Sequence, residues 1–126
     1  MANQLSLSST LNFQGNNLSV AANVPNIRPT VAGNGLVSLA AATVPTMAAA
    51  VPVGGLTGGA ASGGWLFVQN NDATNYMQIL TATSGTAFAR LLPGEFCLLR
   101  LDAGLTAPFW QAHTAPVSAT LAIFDL

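Results

Sequence analysis

Apolar residues in this chain come in short runs of strand length, separated by residues that turn a backbone. Four such runs follow one another at 65–69, 76–80, 87–92 and 95–101. Between them lie Asn70-Asn71-Asp72-Ala73-Thr74-Asn75, then Ser84-Gly85, then Pro93-Gly94. Asn and Asp bend the chain by bonding to it, Gly accepts positive φ, and Pro fixes φ at the first corner of a turn. The pattern predicts a four-stranded antiparallel meander. Pairing Leu92 with Glu95 across Pro93-Gly94 would set Arg90, Leu92, Glu95, Cys97, Leu99 and Leu101 on one face. Leu91, Phe96, Leu98 and Arg100 would take the other, because side chains alternate along a strand. Both faces are then largely apolar, which calls for cover on both sides. The chain itself can supply one cover; a second subunit is the natural source of the other.

The flanking segments are shorter in pattern. Leu5 and Leu7, Leu11 and Phe13, then Leu18 and Val20 after Gly15-Asn16-Asn17 predict one or two short strands with a turn between them. Pro25, Pro29, Gly33 and Gly35 punctuate the next stretch. Residues 36–47 read as a strand or a short Ala-rich helix, since Pro45 and Pro52 would stop a helix after about two turns. With the glycine pairs at 54–55, 58–59 and 63–64, residues 23–64 read as an extended arm or loop, small enough in side chain to lie against a neighbour. Residues 117–125 alternate Val117, Ala119, Leu121 and Ile123 against Ser118, Thr120, Ala122 and Phe124, a final strand closing the sheet. The expected fold is all-β: an antiparallel β-sandwich or jelly-roll-like barrel in a single domain over 1–126, with 65–126 as core meander and closing strand.

Composition sharpens the expectation of cover. Hydrophobic residues make up 51% of the 126 and charged residues 6%, against about 25% charged in an average domain. There is no lysine, and the cations are Arg28, Arg90 and Arg100. A surface so bare of charge lacks the usual means of staying dispersed, and assembly into a homo-oligomer, with a trimer as one form, is expected. Three scattered arginines and a net charge of −1 exclude a row of cations for nucleic-acid phosphates or for an anionic membrane surface. The first residues lack the basic cluster and apolar core of a signal peptide. Residues 36–53 are uncharged but interrupted by Pro45 and Pro52, so no spanning helix is expected.

Candidate chemistry is sparse. Cys97 and His113 form the single thiol–imidazole pair, and Cys97 lies mid-strand among apolar neighbours, where a thiol is inert packing. Gly33-Asn34-Gly35 has Ser38 where a dinucleotide fingerprint needs its third glycine. Asn70-Asn71-Asp72 lacks the following Glu of a calcium loop and reads as a turn. The four acids and one histidine show no metal-ligand spacing. No enzyme activity, cofactor or metal is therefore expected. Arg90, Glu95 and Arg100 are candidates for ion pairs that fix register within the sheet or across a subunit boundary. Trp65, Phe109 and Trp110 are candidate interface anchors, with core packing as the plainer use of the same rings.

Several of these residues also carry a resemblance. Asn71-Asp72-Ala73-Thr74-Asn75-Tyr76-Met77-Gln78-Ile79, then Arg90-Leu91-Leu92-Pro93-Gly94-Glu95-Phe96, Arg100-Leu101, and Ala112-His113-Thr114-Ala115-Pro116-Val117 form a pattern similar to one in small virion proteins of tailed bacteriophages. There an N-x-D-x-T-N-Y-V-x-I hairpin precedes an L-x-P-G-E turn and an A-x-T-A-x-V strand. The resemblance covers roughly residues 65–126. It implies a β-sandwich or jelly-roll structural subunit without catalytic residues, present in several copies on a capsid exterior or tail and assembled in the host bacterial cytoplasm. The expected role is a capsid decoration (cement) protein that bridges major capsid protein subunits. A tail, baseplate or head–tail connector component is the runner-up, and a carbohydrate-binding β-sandwich stacking sugar on Trp65 or Trp110 is a third reading.

Overall fold

The computed structural model describes residues 7–15, 18–27, 36–53, 64–102 and 107–125, and these form ten strands with no helix among them. Strands β1 (Leu7–Gly15) and β2 (Leu18–Ile27) pair as an antiparallel hairpin, with Gly15 opposite Leu18. The other eight are β3 (Leu36–Val44), β4 (Ala49–Ala50), β5 (Gly64–Asn70), β6 (Met77–Leu80), β7 (Ala87–Leu91), β8 (Phe96–Leu101), β9 (Phe109–Ala112) and β10 (Val117–Asp125). They build two antiparallel sheets of four strands, ordered β3-β10-β5-β8 and β4-β9-β6-β7.

The two sheets pack as a β-sandwich around one core. Leu66 and Val68 of β5 and Val117, Ala119, Leu121 and Ile123 of β10 face Met77 and Ile79 of β6, Leu91 of β7 and Trp110 and Ala112 of β9. Period-two alternation explains the choice: in β5 the odd residues are half-buried and the even ones buried. A fully buried Val, Leu or Ile contributes about 1.5–3 kcal/mol by leaving water, so this inward row is the main source of stability.

Sheet membership differs from a meander. All four predicted strands between 65 and 101 form, but β5 and β8 pair with each other in the first sheet while β6 and β7 pair in the second. The Pro93-Gly94 turn forms as expected, with Glu95 N–H donating to Leu92 O at 3.0 Å and Gly94 at φ 81°. These are the marks of a type II turn, with Pro at its first corner and Gly at its second. It does not make a hairpin. It carries the chain from one sheet to the other, so Leu91 points into the core alongside Leu101 rather than outward with Phe96. The apolar character of both β7 and β8 is used for facing layers, not for neighbouring places in one layer.

One further expectation is corrected: β10 does not close a sheet edge but runs through its interior, between β3 and β5. Of the two alternatives for residues 36–47 the structure takes the strand, as β3, and with β4 this stretch brings Val44 and Val51 into the core. The Ala-rich runs are extended because their backbone pairs with β10 and β9, and tertiary pairing overrides alanine's helix propensity. Of the arm expected over 23–64, residues 23–27 belong to β2, and 28–35 and 54–63 lie outside the described residues.

Candidate functional site

β7, the turn after it and β8 form one side of the sandwich. Among the described residues, β7 and β8 each end their sheet. Phe88, Leu92 and Phe96 lie on this side and are 52%, 48% and 59% exposed. Of the described residues, the other large hydrophobic side chain so exposed is Met47, in the turn before β4. A cleft of about 310 Å³ opens between the sheets here, lined by Leu80, Phe88, Leu99, Leu101 and Pro108, with Thr81 and Arg100 beside them.

The turn is tied down by Asn70, the last residue of β5. Its position continues the inward row of Leu66 and Val68, and it is fully buried. Every polar group it carries is used. Its side-chain amide donates to Asn75 O at 2.9 Å and to Leu91 O at 3.0 Å, and its Oδ1 accepts from Asp72 N–H at 2.9 Å. Its main-chain N–H donates to Glu95 O and its carbonyl accepts from Gly94 N–H, both at 2.9 Å. A buried amide is stable only when satisfied in this way. The signal for it in the sequence is a polar residue standing on the apolar parity of a strand.

Asp72 organises the loop that follows. Its Oδ1 accepts from the N–H of Thr74 at 2.8 Å and of Asn75 at 2.7 Å. Those backbone donors hold its carboxyl below the usual carboxylate range. Asn71 Nδ2 donates to Thr120 Oγ1 at 2.7 Å, binding the loop to β10. The Asn-rich segment is thus a built turn, and among the described residues no three His, Cys, Asp or Glu side chains gather as a metal site would require.

The six residues expected at an interface separate into distinct places. Trp65 and Arg100 are cross-strand partners on the outer face of the first sheet, with the guanidinium 6.0 Å from the ring centroid. The indole Nε1 of Trp65 is buried and makes no hydrogen bond with the described residues. Phe67 and Phe96 stack on the same face at 5.6 Å. Arg90 belongs to the second sheet, where its guanidinium lies 4.5 Å from the Tyr76 ring. Glu95 accepts from Leu92 N–H at 2.8 Å and so closes its own turn. Phe109 is half-buried on β9, and Trp110, 3% exposed, is given over to the core.

Two contacts were not expected. Tyr76 stacks on His113 at 4.3 Å as well as meeting Arg90, and Gln111 reaches Thr46 O at 2.8 Å. Gln111, Gln78 and Arg90 are register neighbours across β9, β6 and β7 and form a polar row on the outer face of the second sheet. Cys97 faces the interior and burial pushes its thiol up, the reverse of an activated nucleophile. His113 is exposed at the end of β9, its Nδ1 2.9 Å from Thr114 Oγ1.

These features define an all-β sandwich with one apolar side, formed by two sheet edges and a pinned turn. Comparison with protein-family models, curated proteins and solved structures finds no match. No helix of the described residues is long and apolar enough to cross a membrane.

Proposed function

We propose that this chain is a structural virion protein of a tailed bacteriophage, a capsid decoration protein that bridges major capsid protein subunits. The observation that carries the reading is the β7–turn–β8 side, where Phe88, Leu92 and Phe96 stand in water on an otherwise weakly charged molecule. Large exposed apolar groups along two edge strands and the turn that joins them mark a surface that another protein covers. The turn beneath them is held by Asn70 from two sheets at once, so the surface is presented rigidly and binding costs little ordering entropy. A decoration protein acts by adding buried area across capsomer boundaries, and such a surface suits that role. The resemblance of 71–79, 90–96 and 112–117 to small virion proteins supports the same class.

The carbohydrate reading has less support: Trp110 is in the core, and Trp65 is half-buried with the Arg100 guanidinium 6.0 Å from its ring centroid. The decisive experiment mixes the purified chain with phage heads lacking it, and separately with tails, and follows co-sedimentation. Co-sedimentation with heads, weakened at least tenfold by Phe88→Asp with Phe96→Asp, is expected. Retention by tails alone transfers the role to the tail. Retention by neither, or an undiminished double variant, refutes the proposal.

A further inference from the structure

Among the described residues, one edge of β8 is not covered by another strand. Asn70 N–H donates to Glu95 O at 2.9 Å, in line with the β5–β8 register in which Gln69 faces Phe96 and Val68 faces Cys97. Main-chain groups along an antiparallel strand alternate in direction. The N–H and C=O of Cys97, Leu99 and Leu101 therefore point toward β5, and those of Phe96, Leu98 and Arg100 point away from it. Among the described residues no strand meets them.

Exposed edges are ordinarily blunted by Lys, Pro, a bulge or an inward charge. β8 has none of these between Phe96 and Leu101: its register with β5 is unbroken, and Arg100 is its one charge, on the outer face. Such an edge is a template for another strand. A twofold axis perpendicular to the sheet keeps outer residues opposite outer residues. With Leu98 opposite its own counterpart, Phe96 falls opposite Arg100 of the second copy, and Cys97 opposite Leu99. Every outward-pointing main-chain group from Phe96 to Arg100 then finds a partner. The guanidinium of Arg100, already on Trp65 of its own chain, gains the exposed Phe96 ring of the other. Sliding by one residue about the axis puts Phe96 opposite Asp102 or removes Arg100 from Phe96, and either pairs fewer of the three.

We propose that two copies of this chain associate through β8, antiparallel about a twofold axis at Leu98, joining their first sheets into one continuous sheet. The occupant is a second copy because the strand meets itself in backbone phase and in face, and sets each Arg100 against the exposed Phe96 of the other copy. This pairing shares β8 and Phe96 with the proposed virion contact, and cross-linking of the isolated chain reads it separately from binding to heads.

The test is a symmetric cross-link in the full chain carrying Cys97→Ala. Residues on the axis in a hydrogen-bonded pair have Cα atoms about 5.5 Å apart, within the roughly 4.4–6.8 Å a disulfide spans. Leu98→Cys should give a covalent dimer on mild oxidation, whereas Phe96→Cys, about 13 Å from its counterpart at about 3.3 Å per residue, should not. Phe96→Cys combined with Arg100→Cys should cross-link again. Sedimentation of the unmodified chain should give twice the 12.8 kDa monomer mass. A mass of one or three chains overturns the proposal, as does equal cross-linking of the Leu98→Cys and Phe96→Cys single variants. A dimer that Leu98→Cys fails to trap also overturns it.

Discussion

The side-chain amide of Asn70 donates to the carbonyl of Leu91 at 3.0 Å, and that bond joins the end of β5 in one sheet to the end of β7 in the other. The same residue receives Gly94 and reaches Glu95 through its main chain, so the turn between the sheets is registered against a single side chain. Asn70→Ala strands Leu91 O, Asn75 O and Asp72 N–H. A buried group left unsatisfied costs about 1–3 kcal/mol; the bond to Leu91 O is buried and the other two are partly so, so denaturant titration should show a loss of about 1–3 kcal/mol. Asn70→Asp keeps the shape but turns a carboxylate toward two carbonyl oxygens. Its folded pKa is then raised above about 3.9, the unfolded value. The penalty should be smallest below that pH and grow as pH rises toward the folded pKa; a penalty constant from pH 3 to 8 would contradict the assignment.

Asp72 has the opposite linkage. Its carboxyl is lowered from 3.8 by the backbone donors of Asn75 and Thr74. A depressed folded pKa contributes stability that is present above the unfolded value and lost as pH falls through the folded one. Asp72→Asn retains an acceptor without the charge. Its melting temperature should lie below that of the unmodified chain at neutral pH, and the gap should close under acid below the folded pKa. Thermal melts across pH 2 to 7 check this, and a gap that widens toward low pH would reverse the sign.

The two turn glycines are required for different reasons. Gly94 has φ 81° with open space around a built Cβ, so Gly94→Ala meets only backbone strain, about 1–2 kcal/mol. Gly94→Asn should recover part of it, because Asn tolerates the left-handed region. At Gly85 a Cβ would lie 2.6 Å from Ala82 N and from Thr81 Oγ1. Gly85→Ala must open the β6–β7 turn, at about 1–3 kcal/mol by analogy with overpacking, and Gly85→Asn should be no better. Denaturation midpoints of the four variants separate strain from clash.

Cys97 should be a slow thiol. It packs against the core and its pKa is raised by burial, so little thiolate is present near neutral pH. Alkylation at pH 8 should be slower than for a free cysteine and reach the free rate in denaturant. Fast native labelling would mean that the inner side of β8 opens to solvent.

The outward positions of β8 show how far pattern reading reaches. Alternation in 65–101 and 117–125 marks strands because period two is a local property of a half-buried ribbon, and Pro93-Gly94 marks a turn because φ preferences are local too. The sequence marked the ribbon from Arg90 to Leu101 as apolar on both faces, but that Phe88, Leu92 and Phe96 are the side chains left in water was decided by the fold.

What the chain's order of residues determined by itself was therefore an all-β protein with these strands, these turns and an inert Cys97. Only the tertiary structure decided that the turn at Pro93-Gly94 crosses between layers, that β10 lies inside its sheet, and that Asn70 is a structural bond rather than a loop residue. The physical reason is that every strand here has the same periodicity, so partner choice rests on which pairing buries Leu91, Leu101 and Trp110 together. That choice is a sum over contacts distant in sequence, and no window of neighbouring residues contains it.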